Sequence, residues 1–168
     1  SEQFVTRDAM TAVLEEIPFL NEMLDLERIS EFSDAVSHII DFRSRFTATH
    51  SKGVSAACRA MAEWAGMDGD DSELLAVAGD LHDLGKLGVP TEILDKPGKL
   101  NEVERESIQR HPLDTQRALE GAPELALIAQ WAGNHHERVD GGGYPHGVTG
   151  EDLDLGSRII AVADVFTA

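Results

Sequence analysis

The sequence contains little of what several common protein classes require. It has one cysteine, Cys58, so an internal disulfide is excluded, and a reduced, cytoplasmic compartment is favoured. Its 14 lysine and arginine residues stand against 31 acidic residues, and the net charge of −17 argues against broad binding to DNA or RNA polymers. No apolar run approaches the length of a bilayer span, and no secretory signal is visible, so membrane insertion is not expected.

The pattern that is present is helical. Apolar residues recur at helical spacing along most of the chain, and no convincing period-2 strand interrupts them, which predicts an all-α fold. We interpret residues 1–32 as a helical lead-in, a candidate linker from an upstream domain, and residues 33–168 as the functional domain. The predicted helices cover about 33–65, 74–85, 101–111, 123–137 and 155 onward. The third of them is expected to begin with a capping box of Asn101 and Glu104 and to be ended by Pro112. Trp64 and Trp131 are expected in the core, and Cys58 is expected to be a buried, inert thiol.

Two motifs carry the chemistry. The first is the pair His82-Asp83, and the second is His135-His136 followed by a glycine-rich turn, residues 140–145. Histidine and aspartate without cysteine suit iron, manganese, cobalt, nickel or zinc, and such a centre activates water, most often to hydrolyse phosphate esters. Adjacent residues on a helix point about 100° apart, so an adjacent His-Asp pair can serve two neighbouring metals.

These motifs resemble the HD-GYP family of the HD metal-dependent phosphohydrolases. Five segments match that family in order, from about His50 to Ala168: Gly79-Asp80-Leu81-His82-Asp83-Leu84-Gly85-Lys86-Leu87-Gly88-Val89-Pro90, Asp95-Lys96-Pro97-Gly98-Lys99-Leu100, His111-Pro112, His135-His136-Glu137-Arg138-Val139-Asp140-Gly141-Gly142-Gly143-Tyr144-Pro145 and Arg158-Ile159-Ile160-Ala161-Val162-Ala163-Asp164. The resemblance implies an HD-superfamily helical bundle with a metal site between its helices.

The resemblance also implies the ligands and their division between two metals. One metal would be held by His50, His82, Asp83 and Asp164. Asp83 would bridge to a second metal, held by His111, His135 and His136. Catalysis is expected from Asp83 and Lys86, and substrate binding from Lys86, Gly143 and Tyr144. Neither His38 nor His146 lies in a matching motif, and both are expected to be ordinary histidines.

The function implied by the resemblance is metal-dependent hydrolysis of cyclic di-GMP, mainly to the linear dinucleotide pGpG, in bacterial second-messenger signalling. Another cyclic dinucleotide or nucleotide stays open as the substrate, and so does a non-catalytic metal-binding signalling module. Two divalent metals are expected, with iron or manganese favoured and nickel, cobalt or zinc left open. An upstream sensor or receiver domain and a homodimer also stay open.

The chain departs from the family at one position and ends close to another. Many members with three metals carry a glutamate four residues before the first ligand histidine, where this chain has Phe46. A third metal is therefore not expected, because an apolar ring offers no ligand oxygen. The chain begins at Ser1 and stops four residues after Asp164, so we interpret it as a fragment whose domain is truncated at its C-terminus.

Overall fold

The structure is a computed structural model that describes residues 26–43 and 49–168. Within these residues the chain is helical, and its one β-type contact is an isolated bridge between Asp140 and Thr149, which confirms the all-α prediction. The α-helices are α1 (Leu26–Arg43), α2 (His50–Trp64), α3 (Gly69–Leu81), α4 (Thr91–Leu94), α5 (Glu102–Gln109), α6 (His111–Leu119), α7 (Ala126–Gly133) and α8 (Leu155–Thr167). Short 3-10 helices cover Leu84–Gly88 and Pro123–Leu125.

Helix α3 forms the centre of the described bundle. It contacts α1, α2, α7 and α8, and every residue from Leu75 to Leu81 is buried. Its start is fixed by Asp68, whose Oδ1 accepts a hydrogen bond from the Asp71 N–H at 2.8 Å. Because a helix buried all round needs apolar residues on every side, this segment reads as a nearly continuous hydrophobic run. Its C-terminal end places His82 and Asp83 in the interior.

The predicted helix over 33–65 is wrong, because it corresponds to two helices, α1 and α2. Asp41 Oδ1 accepts from the Ser51 hydroxyl at 2.7 Å and lies 3.4 Å from the Ser51 N–H. In one straight helix these residues would be about 15 Å apart along the axis. Asp41 and Ser51 therefore cannot belong to one straight helix, and both helices pack on α3. Residues 1–25 of the predicted lead-in lie outside the described residues, and α1 spans its predicted boundary at residue 32.

Three other predicted helix ends also differ. Helix α3 ends at Leu81 rather than near Gly85, and α7 ends at Gly133, before the histidine pair rather than after it. Pro112 does not end a helix but lies in the first turn of α6, where its missing N–H costs no hydrogen bond. The capping box of Asn101 and Glu104 is confirmed at the start of α5.

The core confirms two of the three predictions made for single side chains. Trp131 is 3% exposed, and Cys58 is fully buried, where burial raises the pKa of its thiol to about 12. Trp64 is 91% exposed, so its predicted place in the core is wrong. It is the last residue of α2 and lies in an exposed stretch, residues 63–66. No helix of the described residues is long and apolar enough to cross a bilayer.

Helix α8 is held at its N-terminal end by a compact set of contacts with α7. Asp154 caps the helix by accepting from the Ser157 N–H at 2.8 Å, and its other oxygen accepts from the Trp131 indole N–H at 3.0 Å. Gly156 lies so close to Trp131 that a Cβ atom there would overlap the indole ring. These contacts fix the start of the helix that carries Asp164 further along.

We predict that Gly156→Ala destabilises the protein by about 1–3 kcal/mol, because the added methyl overpacks the Trp131 contact. Urea unfolding would measure the loss. Gly121→Ala is the matched control, since a Cβ at position 121 meets nothing within 4 Å and this variant should be neutral. Equal unfolding free energies for both variants would contradict the prediction.

Candidate metal centre

The seven residues predicted as metal ligands meet in the interior of the bundle, although they come from five separate segments. His50 and His111 are the first residues of α2 and α6, His82 and Asp83 follow the last residue of α3, and His135 and His136 follow α7 closely. Asp164 is the one member from a helix interior, that of α8. Ligands at helix ends leave the regular helical backbone free for packing.

The side chains form three groups. Within each group, the ligand atoms all lie within 4.8 Å of one another. One group is His50, His82 and Asp164, and another is His111, His135 and His136. A third group, His82, Asp83 and His135, lies between them. This is the arrangement expected of two neighbouring cations with Asp83 in the middle.

Three of the imidazoles are oriented by the same backbone device. The Nδ1 atoms of His82, His111 and His135 lie 2.6–2.7 Å from the carbonyl oxygen three residues earlier. A carbonyl oxygen only accepts, so each Nδ1 carries the hydrogen and donates it. In the neutral ring each Nε2 then carries a lone pair, and this atom faces the cluster, as a metal-ligating histidine requires.

These lone pairs make the cluster unfavourable without a cation. The Nε2 atoms of His111 and His135 are 3.1 Å apart, and both are acceptors once Nδ1 donates. His82 Nε2 and Asp83 Oδ1 are buried without a hydrogen-bond partner. Buried acceptors that face one another repel, and divalent cations bound between them would satisfy them. The residues present therefore fit a metal centre.

Asp83 lies at the middle of the cluster. Its Oδ1 is 3.2 Å from His111 Nε2 and 4.0 Å from His135 Nε2, while its Oδ2 is 3.5 Å from His82 Nε2. Burial acts to raise the pKa of Asp83, but the neighbouring His82, His111 and Lys86 outweigh it and hold the pKa well below its usual range. The carboxylate is thus ionised and has one oxygen toward each histidine group.

The pKa shifts of His135, His136 and Asp164 also suit cation binding, whereas the hydrogen bond with Asp164 raises the pKa of His50. Burial, followed by the neighbouring imidazoles, holds the pKa of His135 well below its usual value, and burial with His111 lowers that of His136 to about 4. Burial opposes ionisation of Asp164, but the hydrogen bond with His50 and the nearby His82 and His136 lower its pKa. His50 Nε2 and Asp164 Oδ1 are 3.1 Å apart.

Comparison with known proteins identifies the family. A family model described as "HD domain" matches residues 34–168. The chain belongs to the HD domain family. A relative named as a 3'3'-cGAMP-specific phosphodiesterase 1, from Vibrio cholerae, is 44% identical over 96% of this chain and 37% of its own length. A cyclic di-GMP phosphodiesterase response regulator from Xanthomonas campestris is 37% identical over 89% of this chain and 39% of its own length.

A solved structure shares the fold. An HDG"Y"P protein from Bdellovibrio bacteriovorus superposes with a TM-score of 0.62 at 19% identity, covering 98% of this chain and 60% of that one. Together with the motifs at His82-Asp83 and Gly143-Tyr144-Pro145, these matches confirm the HD-GYP membership predicted from sequence. The chain spans less than half the length of the two curated relatives.

Lys86 lies at the edge of the centre. Its Nζ donates to Asp83 Oδ2 at 2.6 Å, and the side chain is 26% exposed, so the ammonium faces both the buried carboxylate and solvent. It belongs to the 3-10 helix Leu84–Gly88 rather than to the end of α3. A cation in this position can meet a negative group that approaches from outside.

The glycine-rich turn lies against the histidine pair. The Tyr144 ring is centred 4.8 Å from the His136 ring, and the Tyr144 N–H donates to the His136 carbonyl at 3.2 Å. A Cβ at Gly143 would overlap the backbone of residues 136–138. Gly143 therefore has a packing reason to be glycine, because it brings the turn down onto the segment that carries the ligands.

Sequence reasoning missed Glu137, which anchors the residues that follow this turn. Its carboxylate is 4% exposed and accepts three backbone N–H groups, from His146 at 2.6 Å and from Gly147 and Val148 at 3.1 Å. The signal was its place beside the histidine pair, but a glutamate there reads equally well as another ligand or as a surface residue.

The two histidines outside the matching motifs lie away from the metal cluster. His38 is exposed near Asp34, and the exposed His146 has its Nε2 3.0 Å from Gln116 Oε1, so neither joins the cluster. Phe46, on which the expectation of no third metal rests, lies outside the described residues. The number of metals therefore stays a prediction.

We predict that Glu137→Gln lowers the free energy of unfolding by about 1–3 kcal/mol. The side-chain NH₂ group that replaces one carboxylate oxygen cannot accept a hydrogen bond, so a buried backbone N–H loses its partner. The measurement is urea unfolding of the metal-free protein. Glu151→Gln, which neutralises an exposed glutamate of the same loop, is the control and should change little. A loss no larger than that of the control would count against the anchoring role.

Proposed function

We propose that this chain is the catalytic part of a metal-dependent cyclic dinucleotide phosphodiesterase. The observation that carries the proposal is the pair of histidine groups joined by Asp83, since two adjacent cation sites suit phosphodiester hydrolysis. The HD-GYP membership and the names of the relatives support the same reaction class.

The first cation would be held by His50, His82, Asp83 and Asp164, and the second by Asp83, His111, His135 and His136. Divalent cations in such a site supply Lewis acidity and an activated water. We favour two ions, iron or manganese. The chain's own contribution is to hold the imidazoles and the ionised carboxylates in place, since six of the donors lie at or next to helix ends that meet in the interior.

Lys86 and the glycine-rich turn would meet the substrate. The Lys86 ammonium is a fixed positive charge beside Asp83, suited to stabilise negative charge that develops on a phosphoryl oxygen. Tyr144 and Gly143 would form the wall of the pocket next to His136. This local positive charge, with that of bound cations, would offset the net charge of −17 for an anionic substrate.

Two substrates are in contention. Cyclic di-GMP, opened mainly to pGpG, follows from the family resemblance and from relatives named for that activity, one of them 40% identical over 73% of this chain. The second candidate is favoured by two relatives from Vibrio cholerae that are named as 3'3'-cGAMP-specific phosphodiesterases, at 44% and 42% identity. Both substrates present the same phosphodiester to the metals and differ in one base.

The deciding experiment is a substrate panel. The metal-loaded protein, prepared with iron, manganese or nickel, would be given cyclic di-GMP, 3'3'-cGAMP and a cyclic mononucleotide, and products would be followed by chromatography. We expect linear dinucleotides from at least one of the first two. Asp83→Asn should abolish turnover, and Asp70→Asn, an exposed residue at the other end of α3, should not. Tight nucleotide binding without product in every metal form would favour a non-catalytic signalling module instead.

We predict that Lys86→Met leaves metal content unchanged and slows turnover by roughly 10²-fold, the scale for removal of one electrostatic stabiliser. Methionine keeps the length and apolar stem of the side chain while it removes the charge. Lys99→Met, at an exposed lysine, is the control. Metal analysis and kcat of both variants would test this role of Lys86. Loss of bound metal, or an unchanged rate, in Lys86→Met would refute it.

A further inference from the structure

A single buried hydroxyl joins the segments that carry the two halves of the metal centre. Thr115 is fully buried on α6, one turn after His111. Its Oγ1 donates to the His82 carbonyl at 2.9 Å and accepts from the Gly85 N–H at 2.8 Å. The two backbone groups flank Asp83, so one side chain holds both ends of the turn from which the central carboxylate projects.

These backbone groups need a partner because the helix changes type at this point. Helix α3 ends at Leu81 and a 3-10 helix begins at Leu84, and such a junction leaves some backbone groups without a partner inside the helix. Thr115 supplies both a donor and an acceptor to the junction. Only a hydroxyl does this in a volume so small, since valine has the same shape without either function.

The turn and α6 are also in direct backbone contact. A Cβ at Gly85 would overlap the His111 carbonyl oxygen, so the glycine lets the two segments touch. Packing alone sets how close they come, while the two hydrogen bonds of Thr115 set their relative register. That register determines the 3.2 Å separation between Asp83 Oδ1 and His111 Nε2.

We propose that Thr115 is a positioning residue for the metal centre, which sets the distance between the carboxylate of Asp83 and the imidazole of His111 and so tunes cation affinity. It touches none of the ligand atoms. The inference rests on the metal centre assigned in the proposed function but not on the identity of the substrate or on turnover.

The test compares cation binding in variants that differ only in the hydroxyl. Manganese alone is the probe, with free Mn²⁺ counted by its electron paramagnetic resonance signal during titration. We expect Thr115→Val to raise the dissociation constant of the weakest detectable Mn²⁺ binding step by roughly 10–100-fold, the usual cost of losing a group that orients a metal ligand. Thr115→Ser keeps the hydroxyl, so its Mn²⁺ dissociation constant should stay within roughly threefold of the wild-type value.

A structural control separates positioning from stability. Ser72→Ala removes another buried hydroxyl, which donates to the Asp68 carbonyl at the far end of α3, and it should lower thermal stability without changing manganese affinity. If Thr115→Val only lowers the Tm of the metal-free protein and leaves manganese affinity unchanged, the proposal is overturned. If this variant does not fold, Thr115→Ala against Thr115→Ser makes the same comparison, because these two differ only in the hydroxyl.

The outcome is independent of the catalytic proposal. A wild-type protein that binds manganese but hydrolyses no cyclic dinucleotide would refute the proposed function, and a weaker Thr115→Val complex would still support the positioning role. Conversely, an active enzyme whose Thr115→Val variant binds manganese as tightly as wild type would refute the positioning role alone.

Discussion

Mutual repulsion among buried ligand atoms is the constraint on which the structure depends. Imidazole Nε2 lone pairs and two carboxylates face one another within a few ångströms, and burial removes the water that would otherwise solvate them. Backbone carbonyls hold three of the rings in this orientation by accepting from Nδ1. The fold therefore keeps the site assembled against an unfavourable local energy, which the binding of cations would reverse.

The arrangement of the helices follows from that requirement. The buried helix α3 brings His82 and Asp83 to the middle, and α2, α6 and α7 each present ligands at or just beyond an end. Helix ends suit this purpose, because the irregular backbone there lets adjacent residues such as His135 and His136 face the same point. Helix α8 is the exception, and the contacts of Asp154 and Gly156 with Trp131 fix its position on α7 instead.

Around the ligands lies a layer of residues that bind nothing themselves but define the geometry. Glu137 accepts hydrogen bonds from three backbone N–H groups of residues 146–148, directly after the glycine-rich turn, while Asp41 holds the start of α2 next to His50. Each of these carboxylates is buried and satisfied by hydrogen bonds. Such support explains how seven side chains from five segments keep one arrangement.

The sequence by itself determined the fold class, the family and the identity of the residues that cluster. It could do so because the motifs at His82-Asp83 and His135-His136 are local, and because helical periodicity and capping boxes are readable over a few residues. It did not determine where helices break, since Pro112 is compatible with both the end and the start of a helix. Nor could it show that Asp41 meets Ser51, that Thr115 bridges His82 and Gly85, or that Glu137 anchors residues 146–148. Those contacts join groups from separate segments, and only the packing of α1 on α2, of α6 on the 3-10 helix Leu84–Gly88 and of residues 146–148 on Glu137 brought them within hydrogen-bonding distance.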